Sequence, residues 1–357
     1  MFNFSKLLKV TAAVLAMTPC VSSCSDDDGP KEIVEATGDG IFVVNSGNFG
    51  YGNASLSYYN PETKMVTNNV FQTANGQKLG DVAQSMKIHN GKGWLVVNNS
   101  HVIFAIDPVT YKELGRITDF TSPRNIHFVS DTKAYVTQLW DNRIVVINPS
   151  KYEVTGYITV PDMTMENGST EQMVQIGKYV YCNCWSYNNR IIKIDTTNDK
   201  IVGQLEVGIQ PACLVADKNN KLWTLCDGGY EGSPYGYEAP SLYQIDPEKL
   251  TIMRRLEMTK GTSVSSLLTN SQRDELYWCG GDVWRMNISD TTLPATSFIA
   301  ADNRWFNAMS IDPVRGDVYV ADALDFTQTG VVYRYNKSGA KVDEFRVGII
   351  PAGFCWK

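Results

Sequence analysis

An all-β fold, a seven-bladed β-propeller whose ring is closed by the C-terminal strand joining the N-terminal blade, is the architecture this sequence predicts. Three observations carry the prediction. First, the segment 123–160 reads as four short strands, at 123–129, 134–139, 143–147 and 154–160. All are rich in β-branched and aromatic residues and follow one another as an antiparallel meander. Second, the turn after its third strand, Asn148-Pro149, recurs as Asn60-Pro61, Asp107-Pro108, Asp195-Thr196, Asp246-Pro247, Asn287-Ile288 and Asn336-Lys337. Taken in chain order these turns are 47, 41, 47, 51, 41 and 49 residues apart, the length of one four-stranded blade. An Asx side chain can bond the backbone two residues on, and proline presets the φ of such a turn. Third, the first unit opens on a second strand at 40–45 and lacks an innermost one. The C-terminal VGIIPAGFCWK, 347–357, is similar to the VGIQPACLVAD that opens the fifth unit and is expected to supply the missing strand. Closure of that kind removes the edges an open array would expose.

The chain begins with a segment that reads as an export signal. Lys6 and Lys9 precede the apolar run 10–17, too short to span a bilayer, and VSSC resembles a lipobox cleaved before Cys24. The expected domains are therefore a lipoprotein signal peptide at 1–23, a lipidated Cys24 with an acidic flexible tether at 24–38, and the propeller at 39–357. The tether's Ser25-Asp26-Asp27-Asp28-Gly29-Pro30 resembles the acidic signal that sends lipoproteins to the outer surface of Bacteroidetes-type outer membranes. The expected location is thus the outer membrane, surface-exposed, with contact to lipid through the anchor only.

Charge and composition narrow the function. Losing residues 1–23 removes two lysines and no acids, taking the formal charge from −6 to −8 and arguing against nucleic acid as a partner. Six cysteines remain after Cys20 and Cys24, namely Cys182, Cys184, Cys213, Cys226, Cys279 and Cys355, with fifteen possible pairings that spacing does not rank. Cys182 and Cys184 share a strand face, but no histidine or second pair stands at ligand spacing, so buried thiols or a disulfide are favoured over a metal site. The three histidines, His89, His101 and His127, fall in the second and third units; packing or a simple hydrogen bond accounts for His89 and His127. There is no Gly-x-Ser-x-Gly elbow, no His-Glu-x-x-His helix and no phosphate loop, and no helix follows the Gly-rich 47–52. An enzyme is therefore not expected, and neither a catalytic residue nor a cofactor is assigned.

Binding chemistry is better represented. In a propeller, the loops between second and third strands and those leading to the next blade converge on one face. Here they are 45–55, 98–101, 140–143, 185–190, 227–241, 303–306 and 322–330, and they are rich in Trp, Tyr, Phe, Asn and Arg. Aromatic planes cover apolar area with little entropy to lose, while Asn and Arg make directional bonds to amides or phosphate. The candidate ligand-binding residues are Asn48, Phe49, Tyr51, Asn98, Trp140, Asn142, Arg143, Trp185, Tyr187, Asn188, Asn189, Arg190, Tyr230, Tyr237, Arg304 and Trp305. Trp140 and Trp185 align in consecutive units, KAYVTQLW with KYVYCNCW, so blade packing is an equal explanation for each.

Two stretches carry a family signal: VVNSGNFG at 43–50, followed by ASLSYYNP at 54–61, and LGDVAQSM at 79–86. With the repeat, they resemble the YncE/DUF5074-like seven-bladed propeller lipoproteins of gut Bacteroidetes, most closely the BtuG group. Ser46 departs from the glutamate expected there. The resemblance implies a cell-surface protein that binds vitamin B12 and related corrinoids and delivers them to a BtuB-like TonB-dependent outer-membrane transporter. A corrin offers an apolar face, an amide rim and a phosphate, which match aromatics, Asn and Arg respectively. The alternatives are a surface glycan-binding propeller or a protein-interaction scaffold.

Overall fold

A computed structural model describes residues 39–357. The expected signal peptide, Cys24 and tether lie outside the described residues. Seven antiparallel sheets stand in a ring, six of four strands and one of three. Seven innermost strands surround the axis: Ala83–His89, Pro123–Ser130, Thr170–Ile176, Pro211–Ala216, Ser265–Thr269, Phe306–Ile311 and Pro351–Trp356. The third blade is the meander expected, with strands Pro123–Ser130, Lys133–Gln138, Arg143–Asn148 and Glu153–Thr159.

The ring closes as the chain ends foretell. Pro351–Trp356 pairs with Ile41–Asn45, Val43 standing opposite both Phe354 and Ser57. The closing strand is shorter than 347–357, however. Residues 347–349 belong to Lys341–Ile349, the outermost strand of blade seven, where Ile349 pairs with Thr329. Ile350, at φ 53°, turns the chain between the two strands.

Six of the seven Asx turns form as the residue chemistry dictates. The side-chain oxygens of Asn60, Asp107, Asn148, Asp195, Asp246 and Asn336 each accept the N–H two residues on, at 2.7–3.0 Å. Asn287 does not; its own N–H donates to Asp290 Oδ2 at 2.9 Å, and blade six has no fourth strand after Asp282–Asn287. The chain there meets the sheet through an isolated bridge between Val283 and Ile299 and a bond from the Ala301 N–H to Asp282 Oδ1.

Because alternate strand residues point to opposite sheet faces, each blade has two apolar faces to cover. Seven hydrophobic clusters result, one per junction between neighbouring blades. The junction of blades seven and one holds Ile41, Val43, Tyr59, Tyr319 and Phe345, with Phe354 and Trp356 packed against it. Tyr59 stacks on Phe345 with ring centroids 3.8 Å apart. All six cysteines of the propeller are buried free thiols built into these junctions.

Ile41 is fully buried in the junction of blades seven and one and stands opposite Trp356 of the closing strand, so Ile41→Ala is expected to cost about 2–5 kcal/mol in denaturant unfolding. Val202→Ala, on the half-exposed outermost strand of blade four, should stay within about 0.5 kcal/mol.

Candidate functional site

The first residues of the innermost strands build the centre of the molecule. In all seven, the register with the second strand shifts just after the first residue. A bulge of this kind sets an unpaired residue against the ladder and re-aims its side chain. The residues so placed include Gln84, Arg124, Glu171, Ala212, Ser266, Asn307 and Ala352, and all seven line a central cavity of about 740 Å³.

Charge in that channel is organised around Arg124, whose Nε donates to Glu171 at 2.5 Å and whose Nη1 donates to Gln84 Oε1 at 2.7 Å. Asn125 Nδ2 also reaches Glu171, at 3.3 Å. Burial pushes the Glu171 carboxyl upward, and Arg124 opposes that shift. The guanidinium also lies 5.6 Å from the Trp185 ring, and the Trp185 indole donates to Asp227 Oδ2 at 2.9 Å. Burial raises Asp227 as well, against the bonds from Trp185, Gly229 and Gln210. Deeper in, burial pulls Lys87 down to about 8. Burial, then Lys87, pulls His127 down to about 4, while its bond to Gln175 at 3.0 Å opposes the shift. Among the described residues no group of three or more His, Cys, Asp or Glu is placed to hold a metal ion.

Around the channel mouth lies the loop face. Among the described residues, seven of the eight exposed aromatics sit on its loops, Phe49, Tyr51, Trp140, Tyr230, Tyr235, Trp305 and Phe326, whereas Tyr157 stands on an outermost strand. That bias makes this face, rather than the opposite one with its Asx turns, the candidate site. Phe49 and Tyr51 are 74% and 75% exposed. Trp305 meets Phe326 edge-on at 5.9 Å, and Asn48 Nδ2 holds the Phe326 carbonyl at 2.6 Å, tying blades one and seven. Across the mouth, Tyr187 stacks on Tyr235 at 4.6 Å, with Tyr230 nearby. Tyr230 and Tyr237 line a second cavity of about 410 Å³ that shares Asp227 with the channel. Trp140 and Trp185 occupy equivalent backbone positions but differ in fate: Trp140 is 45% exposed and Trp185 lines the channel.

The polar candidates are placed differently. Asn98 is buried, with Nδ2 on the Pro123 carbonyl. Asn142 Nδ2 donates to the Met163 carbonyl, and Arg143 forks onto Asp141 beside the Tyr157 ring. Asn188 Oδ1 accepts from the Asn189 N–H and from Arg190 Nε, while Arg190 Nη1 bonds Pro161 and Gln204. Arg304 binds the Ala300 and Ala301 carbonyls, Asp302 and the Tyr335 hydroxyl. These side chains brace their own loops.

The two signature stretches meet each other. Gly50 N–H donates to Asp81 Oδ2 at 2.8 Å, and Ala54 N–H to the Gly80 carbonyl at 3.1 Å. Gly47 has φ 69°, and a Cβ there would lie 2.4 Å from Asn53 Oδ1, so glycine is required. Ser46 is buried and donates to the Ala83 carbonyl at 3.0 Å, which makes it a loop-shaping residue. Sequence reading missed Gln84, Arg124, Glu171, Lys87 and Asp227; for all but Lys87, which stands midway along its strand, the signal that could have found them is their shared place, at the opening of a first strand or just after a second one, in successive repeats.

A model of the family described as Domain of unknown function (DUF5074) matches residues 39–355. No curated protein matches the sequence. Among solved structures, a quinonprotein alcohol dehydrogenase-like protein from Bacteroides thetaiotaomicron is similar at TM-score 0.66 and 14% identity, over 88% of this chain and 77% of that one. The periplasmic gluconolactonase PpgL of Pseudomonas aeruginosa is similar at TM-score 0.66 and 9% identity, over 89% and 99%. The WD40 β-propeller domain of Doa1 gives TM-score 0.58 and 11% identity, over 80% and 86%. Likeness at these identities shows the fold alone.

Arg124→Met would leave Glu171 buried without its cation and is expected to cost about 3–5 kcal/mol in urea unfolding. Adding Glu171→Gln should recover most of that loss. In the single variant the folded-state carboxyl lies further above its unfolded value, so the folded chain binds the proton more tightly. Its stability deficit should therefore shrink as pH falls below neutrality and grow as pH rises through the shifted value.

Proposed function

The chain belongs to the DUF5074 family, and we propose that it is a surface-exposed outer-membrane lipoprotein, anchored through Cys24, that captures vitamin B12 and related corrinoids on its loop face. It then hands them to a BtuB-like TonB-dependent transporter. In this reading the protein binds its ligand without transforming it and needs no cofactor of its own. The observation that carries the reading is the gathering of exposed aromatics on one face around the channel mouth. A monomeric protein seldom leaves so much aromatic surface in water without a partner for it.

The apolar corrin face suits the two groups that flank the mouth, Trp305 with Phe326 and Phe49 on one side, Tyr187 with Tyr230 and Tyr235 on the other. Since Arg143, Arg190 and Arg304 are committed to their own loops, and Asn45, Asn48 and Asn53 of the 45–55 loop to bonds of their own, the amide rim and phosphate would be met mainly by backbone groups. The loops are held by a closed ring and by internal hydrogen bonds, so little ordering cost opposes binding.

Titration of the mature chain with cyanocobalamin, followed by tryptophan fluorescence and calorimetry, is expected to saturate at one-to-one with nanomolar affinity, about −12 kcal/mol. Trp305→Ala and Phe49→Ala should each weaken binding by about tenfold or more, about 1.4 kcal/mol, and leave thermal unfolding unchanged. No binding up to roughly 100 μM, about −5.5 kcal/mol, would sink the corrinoid reading. A glycan or a protein would then be the occupant to seek for the aromatic face.

A further inference from the structure

The two halves of the central channel differ. On one side Gln84, Arg124 and Glu171, all long side chains, bond to one another across blades two, three and four. At blades five and six the residues that the bulges set toward the axis are small, Ala212 and Ser266, and Asn307 of blade seven has its amide nitrogen on the Pro351 carbonyl at 3.0 Å. The space left by those small residues lies toward blades five and six.

That side is also the least walled. The loop joining the second and third strands of blade six is Gly281 alone, whereas the same loop spans 98–101 in blade two and 227–240 in blade five. The second cavity, of about 410 Å³, adjoins the channel there, with Asp227 and Val264 in the walls of both. Ser266 alone among the seven bulge residues has a positive φ, 53°. Such strain in a residue other than glycine persists only where its surroundings impose it, and it concentrates at ligand sites.

The chemistry of this half is polar without a free charge. Ser266 Oγ, Asn307 Oδ1 and, at its border, Gln172 Nε2 take part in no hydrogen bond among the described residues. Asp227, its carboxylate, already accepts from Trp185, Gln210 and the Gly229 N–H. A cation would therefore find its natural partner engaged, and an anion would meet the charge of Asp227. An uncharged flat group bearing hydroxyls and ring nitrogens fits: its body covers Val264 and Met309, and its polar atoms exchange hydrogen bonds with a hydroxyl and two amides.

We infer that the blade-five and blade-six half of the channel is a second subsite, which takes an uncharged heterocycle with its sugar, and that Ala212 and Ser266 determine its specificity. The inference rests on the corrinoid reading given above. The corrin lies on the aromatic mouth, and the base-and-ribose end of its nucleotide loop descends past the low rim of blade six to Ser266.

The test compares the mature chain's affinities for cyanocobalamin and for dicyanocobinamide, a corrin that lacks the nucleotide loop, by tryptophan fluorescence. The parent is expected to hold cyanocobalamin at least about tenfold more tightly. Ala212→Phe, which fills the subsite, should bring the two affinities together by weakening cyanocobalamin alone. Ser266→Gly removes the hydroxyl and leaves the backbone unstrained at its positive φ, so the test survives even where the larger side chain prevents folding. It should weaken cyanocobalamin about fivefold and leave dicyanocobinamide unchanged. Equal affinity of the parent for the two corrinoids, or variants that weaken both alike, overturns the inference and leaves corrinoid capture standing. Binding of neither corrinoid removes that reading and the inference with it.

Discussion

The pairing of Pro351–Trp356 with Ile41–Asn45 is the contact on which the rest of the molecule depends. Each blade has apolar side chains on both faces and is stable only between two neighbours. Six junctions would form in an open array, but the seventh exists only because the chain's last strand lies in its first sheet. Loop-closure cost grows slowly with length: each doubling adds only about 0.6 kcal/mol. Joining residues some 300 positions apart is therefore affordable against a buried junction that includes Tyr59, Tyr319, Phe345 and Trp356.

Closure also defines the channel. With seven innermost strands fixed around an axis, the bulge at the start of each aims consecutive residues inward, and whatever side chains stand there must be satisfied inside the ring. Arg124 and Glu171 satisfy each other across blades three and four, and Gln84 of blade two completes the link. Trp185 and Asp227 continue it to blade five and the mouth. The interior polar network and the outer face are thus one connected structure, with Trp185 belonging to both.

On the loop face, polar and aromatic side chains divide the work. Irregular backbone leaves carbonyls and N–H groups that no ladder receives, and side chains near them supply the missing partners. Asn98, Asn142, Arg190 and Arg304 are used in this way. Aromatic rings have no such obligation, so Phe49, Tyr51, Trp140 and Trp305 remain turned outward. The loop face is accordingly more aromatic, and less cationic, in what it presents to solvent than its composition suggests.

Repeat, blade count and closure were legible in the chain because each has a local cause. An Asx oxygen reaches its own backbone two residues on, and the kinship of 347–357 with the start of the fifth unit marks a strand awaiting a sheet. Where that local logic lapses, at Asn287, the blade itself is incomplete. The loops were also assignable to one face, since strand order alone decides it. What each side chain does there was not. Trp140 and Trp185 are equivalent in the repeat, yet one is exposed and the other is held at the channel by Asp227, a residue of the next blade. Arg190 and Arg304 have the type expected of ligand-binding groups, and only the folded loops show carbonyls close enough to occupy them. The channel was hidden for the same reason. Gln84, Arg124, Glu171 and Gln172 are ordinary strand residues until the packing of neighbouring blades brings them within hydrogen-bond reach of the next blade.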